Sequence, residues 1–393
     1  MSPTPTPVPA LNLAGNFAQV RDAVLAEIAQ ICDSGSYVLG PKVAAFEEAL
    51  AAYCGSKHAL GVSSGTDALL VALMALGIGG GHEVIVPTFT FFATAGCVAR
   101  VGARPVFCDI DPQTYNLDVG QVEEKLTMQT KAVIPVHLYG QLADLRPLLS
   151  TVNRYGIAVI EDAAQAIGAK ESGPDGKMAG ALGTIGCLSF YPTKNLGAIG
   201  DAGALLANDA RLHEKATKLR LHGETTCYHH AYVGGNFRID ALQAAILTIK
   251  LKHLDRWNGE RRKRAARYGE LFEQAGLVPE HVRLPRSGAP ALAQHGAGRG
   301  EGPPNHVYHQ YVIRAQRRDE LFEHLRARKI GAGIYYPVPL HLQECFAHLG
   351  HKPGDFPHAE RAAAEVLGLP IYPELTDAQQ EAVVKAVAAF YRR

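Results

Sequence analysis

The sequence predicts an α/β fold: a large domain around a mostly parallel sheet, followed by a smaller α+β domain. Three observations carry this. Between Glu83 and Asn208, short runs rich in valine and isoleucine recur without polar alternation, the pattern of strands buried on both faces. Most gaps between these runs are long enough for crossover helices. Beyond about residue 255 the chain turns to long helical patterns and isolated strand-like segments.

In chain order, residues 1–12 read as an extended tail, because Pro3, Pro5, Pro7 and Pro9 favour a polyproline-like backbone. Residues 17–34 and 43–53 carry helical periodicity. Strands are expected at 84–87, 105–109, 132–138, 157–162, 188–191 and 204–207, the last two only about a hairpin apart. Residues 240–275 read as one or two long helices. The large domain is placed at 13–255 and the smaller one at 256–393. Within the latter, 287–304 is dominated by Gly, Ala and Pro and reads as a mobile insertion. A strand at 307–314, a helix at 319–328, a loop at 335–339 and a terminal helix at 377–393 complete it.

Composition narrows the function. Hydrophobic residues at 47% and charged residues at 20% suit a soluble enzyme. A net charge of +1 offers no global field for nucleic acid or anionic lipid. No apolar run reaches the roughly 20 residues of a membrane helix, and the N-terminus lacks the basic and apolar regions of a secretory signal. Seven cysteines, widely spaced and without Cys-x-x-Cys, argue for reduced thiols over a disulfide framework or a zinc site. A cytoplasmic protein with no metal, nucleic-acid or membrane partner is expected.

The chemistry gathers around Lys194. The segment Ser189-Phe190-Tyr191-Pro192-Thr193-Lys194-Asn195-Leu196-Gly197 follows an expected strand and enters a glycine-rich turn. An isolated loop lysine is usually only solvated, but its companions change that. Asp162 ends the run 159–162, at the carboxyl end of a buried strand where open α/β sheets bind ligands. There it is either a helix cap or a partner for a cationic ring nitrogen. Ser63-Ser64-Gly65-Thr66-Asp67 opens an Ala/Leu-rich helix whose free N–H groups could hold a phosphate, or be merely capped. Pro87–Thr94 carries Phe89, Phe91 and Phe92, one of which could stack on a planar ring. Gly-x-Gly-x-x-Gly and P-loop patterns are missing near this helix, which disfavours nicotinamide and ATP.

With 134–140, 235–245, 336–341 and 369–375, these segments resemble the DegT/DnrJ/EryC1/StrS family of sugar aminotransferases, from about Ser34 to the C-terminus. The resemblance implies the aspartate-aminotransferase-like fold of PLP enzymes (fold type I). It implies pyridoxal 5′-phosphate, held by Lys194 as a Schiff base and cycling through pyridoxamine 5′-phosphate. Asp162 would pair with the ring nitrogen, Gln165 with the ring hydroxyl, and Phe91 would cover the ring. Gly65, Thr66 and Ser189 would hold the phosphate, joined by Asn236 from a second subunit, so that a homodimer shares two sites. Tyr191, His309, Tyr336 and His341 are carried over as substrate-cleft positions. His229 and His230 would bind the sugar diphosphate, or form a solvated loop pair. The run 261–264 (Arg-Arg-Lys-Arg) reads as a solvated helix face before a nucleotide contact. One departure is Gly200-Asp201-Ala202-Gly203, where the family has a third glycine in place of Ala202.

The implied activity, of the EC 2.6.1 class, moves an amino group from L-glutamate to a nucleotide-linked keto-sugar. The runs 227–236 and 251–258 look similar to members that aminate C3 of a UDP- or dTDP-hexose. Alternatives are a 4-keto-sugar aminotransferase and a non-catalytic regulator or sensor on the same fold. Lys194 disfavours the sugar dehydratases, which carry histidine there.

Overall fold

Strands without polar alternation need cover on both faces, and the main sheet has it. In the computed structural model, which describes residues 7–173, 175–286 and 305–392, seven strands form this sheet. They are β1 (His58–Val62), β2 (Glu83–Pro87), β3 (Arg104–Cys108), β4 (Thr130–Val133), β5 (Ala158–Asp162), β6 (Ile185–Ser189) and β7 (Gly203–Ala207), in the order β1-β7-β6-β5-β4-β2-β3. All run parallel except β7, which is antiparallel to both β1 and β6. Along β7, Leu205 packs into one core cluster while Ala204 and Leu206 pack into another. This is the α/β architecture with a mostly parallel sheet that the apolar runs predict.

The differences from the sequence reading have local causes. β1 was not expected, because His-Ala-Leu-Gly-Val has little β-branched character. It exists because five residue pairs join it to β7. β4 stops at Val133, well short of 138, since Pro135 cannot donate a ladder hydrogen bond. β6 begins at Ile185 and ends at Ser189, so Phe190 and Tyr191 already belong to the turn that carries Lys194.

An exposed hairpin follows the main sheet: β8 (Glu224–Thr226) and β9 (His229–His230). A second sheet, antiparallel, comprises β10 (Val282–Arg283), β11 (Tyr311–Ala315) and β12 (Val366–Leu369). The 21-residue helix Leu254–Gln274 joins the two regions. Its Leu254 packs with the main-sheet core, and its Tyr268 and Phe272 pack with β11 and β12. The boundary drawn at 255/256 therefore falls within the first turn of this helix. Val8, near the start of the chain, is fully buried and bridges to Ile330. Residues 1–6 of the tail and the whole 287–304 insertion lie outside the described residues. Among the described residues, no helix is long and apolar enough to cross a membrane. All seven cysteines are unpaired. Cys54, Cys97, Cys108 and Cys187 are buried, and Cys32, Cys227 and Cys345 are exposed.

The end of β5 is pinned by Glu161. Its carboxylate accepts hydrogen bonds from the N–H groups of Gly180 (2.8 Å), Leu182 (2.7 Å) and Gly183 (2.6 Å). It also faces His137 Nε2 at 2.8 Å. The Ala143 N–H donates to His137 Nδ1, so the ring proton sits on Nε2 and points at Glu161. The pair is fully buried. Glu161→Gln would turn an NH2 group toward two donors, and we expect it to lower the unfolding free energy by about 3 kcal/mol, read from the urea midpoint.

Candidate active site

The carboxyl ends of the parallel strands converge on one cavity of about 550 Å³. β5 brings Asp162 to its floor. β6 ends at Ser189 and releases the turn that carries Lys194. β1 leads into the helix Gly65–Ala75, whose N-terminus opens on the cavity, and β2 leads into Thr90 and Phe91. The region of the second sheet closes the cavity with His309, Gln310, Tyr335 and Tyr336.

Close approach explains the small residues here. A side chain at Gly65 would meet Ser189 Cβ at 2.6 Å, and one at Gly203 would collide with the backbone of Ser64 and Gly65. Ala202, by contrast, is tolerated: its methyl is buried in the main core while its carbonyl accepts the Phe190 N–H at 2.8 Å. The helix start is capped by Ser64, whose hydroxyl accepts the Asp67 N–H at 3.0 Å. The first N–H groups of a helix have no partner within it, so this end can meet an anion.

The electrostatics follow from burial. It pulls Lys194 down to about 8, with Asp162 opposing the shift. Burial also raises the Asp162 carboxyl above its ordinary value. Thr94 Oγ1, at 2.8 Å, and the Ala164 N–H, at 3.3 Å, pull it back, as does the charge on Lys194. The Lys194 turn is held from outside. Gln243 Oε1 accepts the Ile199 N–H at 3.0 Å, and the buried Lys250 ammonium donates to the Gly197 carbonyl.

Comparison with known proteins decides what this site belongs to. Residues 19–388 match the model of the DegT/DnrJ/EryC1/StrS aminotransferase family. The chain belongs to that family. It is 48% identical to a Geobacillus stearothermophilus protein named "Pleiotropic regulatory protein", over 98% of this chain and 99% of the relative. It is 43% identical to a UDP-N-acetyl-3-dehydro-alpha-D-glucosamine 3-aminotransferase of Acidithiobacillus ferrooxidans, over 99% and 98% of the two chains. Among solved structures, Streptomyces venezuelae DesV in complex with a ketimine intermediate superposes with a TM-score of 0.89 at 41% identity, covering 98% of this chain and 99% of that one. NtdA of Bacillus subtilis, with bound cofactor PMP, gives 0.87 at 30% identity, covering 98% and 86%. The architecture is thus the fold type I of PLP-dependent aminotransferases.

Within this family member, the cavity brings together Lys194, Asp162, Gly65, Thr66, Phe91, Gln165, Ser189, Tyr191, His309 and Tyr336. Phe89 is core and Phe92 packs on Phe346, which leaves Phe91, 55% exposed, as the aromatic of that segment at the cavity. Gln165 already spends its carbonyl on the Tyr139 N–H (2.7 Å) and donates from Nε2 to the Tyr336 hydroxyl (3.1 Å). Four candidates lie elsewhere. His341 is buried between Thr88 (2.8 Å) and Glu360 (3.2 Å), outside the cavity lining. His229 and His230 sit on the exposed hairpin, and Asn236 is exposed just after it. Arg261, from the basic run, turns inward to backbone carbonyls, while Arg264 pairs with Asp377 and Lys263 with Glu260.

Thr90 and Thr94 were missed in the sequence. Their four-residue spacing after β2 was the available signal: Thr90 meets Thr94 at 3.1 Å, and Thr94 donates to Asp162. In the cofactor-free chain, Lys194 should gain its free base as pH rises through about 8. Competitive amine labelling across pH, read by peptide mass spectrometry, should show Lys194 reacting well below the range of the exposed lysines.

Proposed function

We propose that this chain uses pyridoxal 5′-phosphate to move an amino group from L-glutamate to the C3 ketone of a nucleotide-linked hexose. The observation that carries this is the placement of Lys194 and Asp162 in one buried cavity, beside the open N-terminus of the helix Gly65–Ala75. That donor set fits the cofactor: an amine for its aldehyde, a carboxylate for its ring nitrogen, and N–H and hydroxyl groups for its phosphate. The choice of C3 is supported by the name of the Acidithiobacillus relative.

Bound there, the cofactor would supply an electron sink for the pair released when a proton leaves the substrate carbon. Lys194 would take that proton and return it. Burial keeps part of its amine unprotonated near neutral pH, which this role needs. Asp162, whose ionised form Thr94, Ala164 and Lys194 favour against its burial, would pair with the ring nitrogen and keep it protonated. Gly65, Thr66 and Ser189 would hold the phosphate, and Phe91 would cover the ring. Gln165 would face the ring hydroxyl, with Tyr191, His309 and Tyr336 toward the sugar.

The second subunit enters through the hairpin. Asn236 is exposed, with Tyr228 and Val233 close by in sequence at 88% and 91% exposure. An apolar, solvated arm of this kind suits insertion into a partner, where Asn236 would reach the neighbouring phosphate site and His229 and His230 the sugar diphosphate. A regulator is the second reading, because the Geobacillus relative carries that name.

Borohydride reduction of the chain incubated with pyridoxal phosphate, followed by peptide mapping, separates these readings. Cofactor mass on Lys194 is expected, together with a visible absorbance band that L-glutamate bleaches. Amination of a 3-keto but not a 4-keto UDP- or dTDP-sugar would then assign the position. No adduct would favour the regulator. Lys194→Arg should fold but not turn over, and transamination by it would refute the role. Thr94→Val, losing a bond to a charged group worth about 1.5–3 kcal/mol, should weaken cofactor retention at least about 10-fold in a fluorescence titration.

A further inference from the structure

Behind the cavity lies a chain of amides that ends on His309. Asn258, on the helix Leu254–Gln274, is 1% exposed and does not line the cavity. Its Nδ2 donates to the Ile167 carbonyl at 3.1 Å. A carbonyl can only accept, so this contact fixes the amide orientation and turns Asn258 Oδ1 the other way. There it accepts Asn195 Nδ2 at 2.7 Å. The same Nδ2 also donates to the Val307 carbonyl at 3.0 Å. Asn195 Oδ1 therefore faces His309 Nδ1, 3.3 Å away. An amide oxygen facing a ring nitrogen requires the proton on that nitrogen. The other ring nitrogen, Nε2, then carries a lone pair, on a ring that forms part of the cavity wall.

The surroundings are built for this arrangement. A side chain at Gly168 would collide with Asn258 Nδ2, so glycine there leaves room for the amide to reach Ile167. One turn along the same helix, Arg261 Nη1 donates to the carbonyls of Tyr308 (3.0 Å), His309 (3.4 Å) and Ile371 (3.0 Å), fixing the backbone that carries the ring. Burial, with the charges of Lys194 and Arg261, holds the imidazole well below its ordinary pKa and so neutral.

We infer that Asn258 is a positioning residue that acts through Asn195 to lock His309 as the Nδ1–H tautomer. His309 then offers amines in the Lys194 cavity a hydrogen-bond acceptor and no proton of its own. The use made of that acceptor rests on the transaminase reading; the tautomer does not.

The test is the imidazole nitrogen spectrum of the full chain, labelled with 15N-histidine, with and without pyridoxal phosphate. His309→Gln assigns the signal among the 17 histidines. A protonated Nδ1 and a bare Nε2 are expected, unchanged from neutral to mildly acid buffer. An Nε2–H signal, or an average of the two tautomers, would overturn the inference. Asn258→Leu leaves the Asn195 amide held by the Val307 carbonyl alone and should loosen the lock, so that the second tautomer appears, whereas an unchanged tautomer would remove Asn258 from the relay. If that variant does not fold, Asn258→Asp still offers Asn195 an acceptor, and it should keep the native tautomer. Loss of the tautomer in Asn258→Asp would count against the relay. These signals need no turnover, so an absent cofactor adduct would sink the function and leave the tautomer standing.

Discussion

The last turn of pleat in β5 is the constraint on which the site depends. Successive residues in a strand point to opposite faces, so the adjacent carboxylates of Glu161 and Asp162 meet different surroundings. Glu161 is saturated by three backbone N–H groups and His137. It binds the loop 180–183 and the segment after β4 to the strand end. Asp162 has one side-chain donor and one weak backbone contact, and otherwise faces the cavity. The saturated residue supplies rigidity, and the unsaturated one keeps capacity for a ligand. Exchanging their roles would take a register slip of one residue, which the parallel ladders on both sides of β5 oppose.

The reversed strand β7 does related work for Lys194. Because β6 and β7 are antiparallel neighbours, the lysine sits in the connection between two paired strands, not on a long crossover. Lys250 and Gln243, from the helix Ala241–Leu251, hold that connection by its backbone. Asn195, next to the lysine, ties it to the helix that leads into the second sheet. The amine can thus be mobile at its tip while its tether is fixed at both ends and on one side.

Legibility in the sequence followed the range of the interaction. The parallel strands were readable because double-faced burial writes itself as consecutive apolar residues. β1 was not, since its pairing with β7 spans more than 140 residues and leaves no local trace. Asp162 was found because it ends a strand and Lys194 because it sits in the glycine-rich turn that follows one, positions that sequence can reveal. Thr94 was overlooked because its neighbours Phe89, Phe91 and Phe92 drew attention to ring stacking, while its own hydroxyl acts on a residue 68 positions away. His341 fits a family motif, yet it is occupied in bonding Thr88 to Glu360. A motif records that a residue type is required at a place, and only the fold says for what. The basic run 261–264 makes the same point, because Arg261 faces inward while Lys263 and Arg264 pair with carboxylates.

The distribution of sulfur has a practical consequence. Burial pushes the thiols of Cys54, Cys97 and Cys108 up to about 12, and that of Cys187 well above its ordinary value, so a maleimide at neutral pH will leave the core untouched. Of the three exposed thiols, Cys227 lies in the hairpin between β8 and β9, on the same segment as Asn236. Replacing Cys32 and Cys345 with serine would leave it as the single addressable position. A fluorophore there would report whether that arm docks on a second copy of the chain, with no alteration to the interior of the protein.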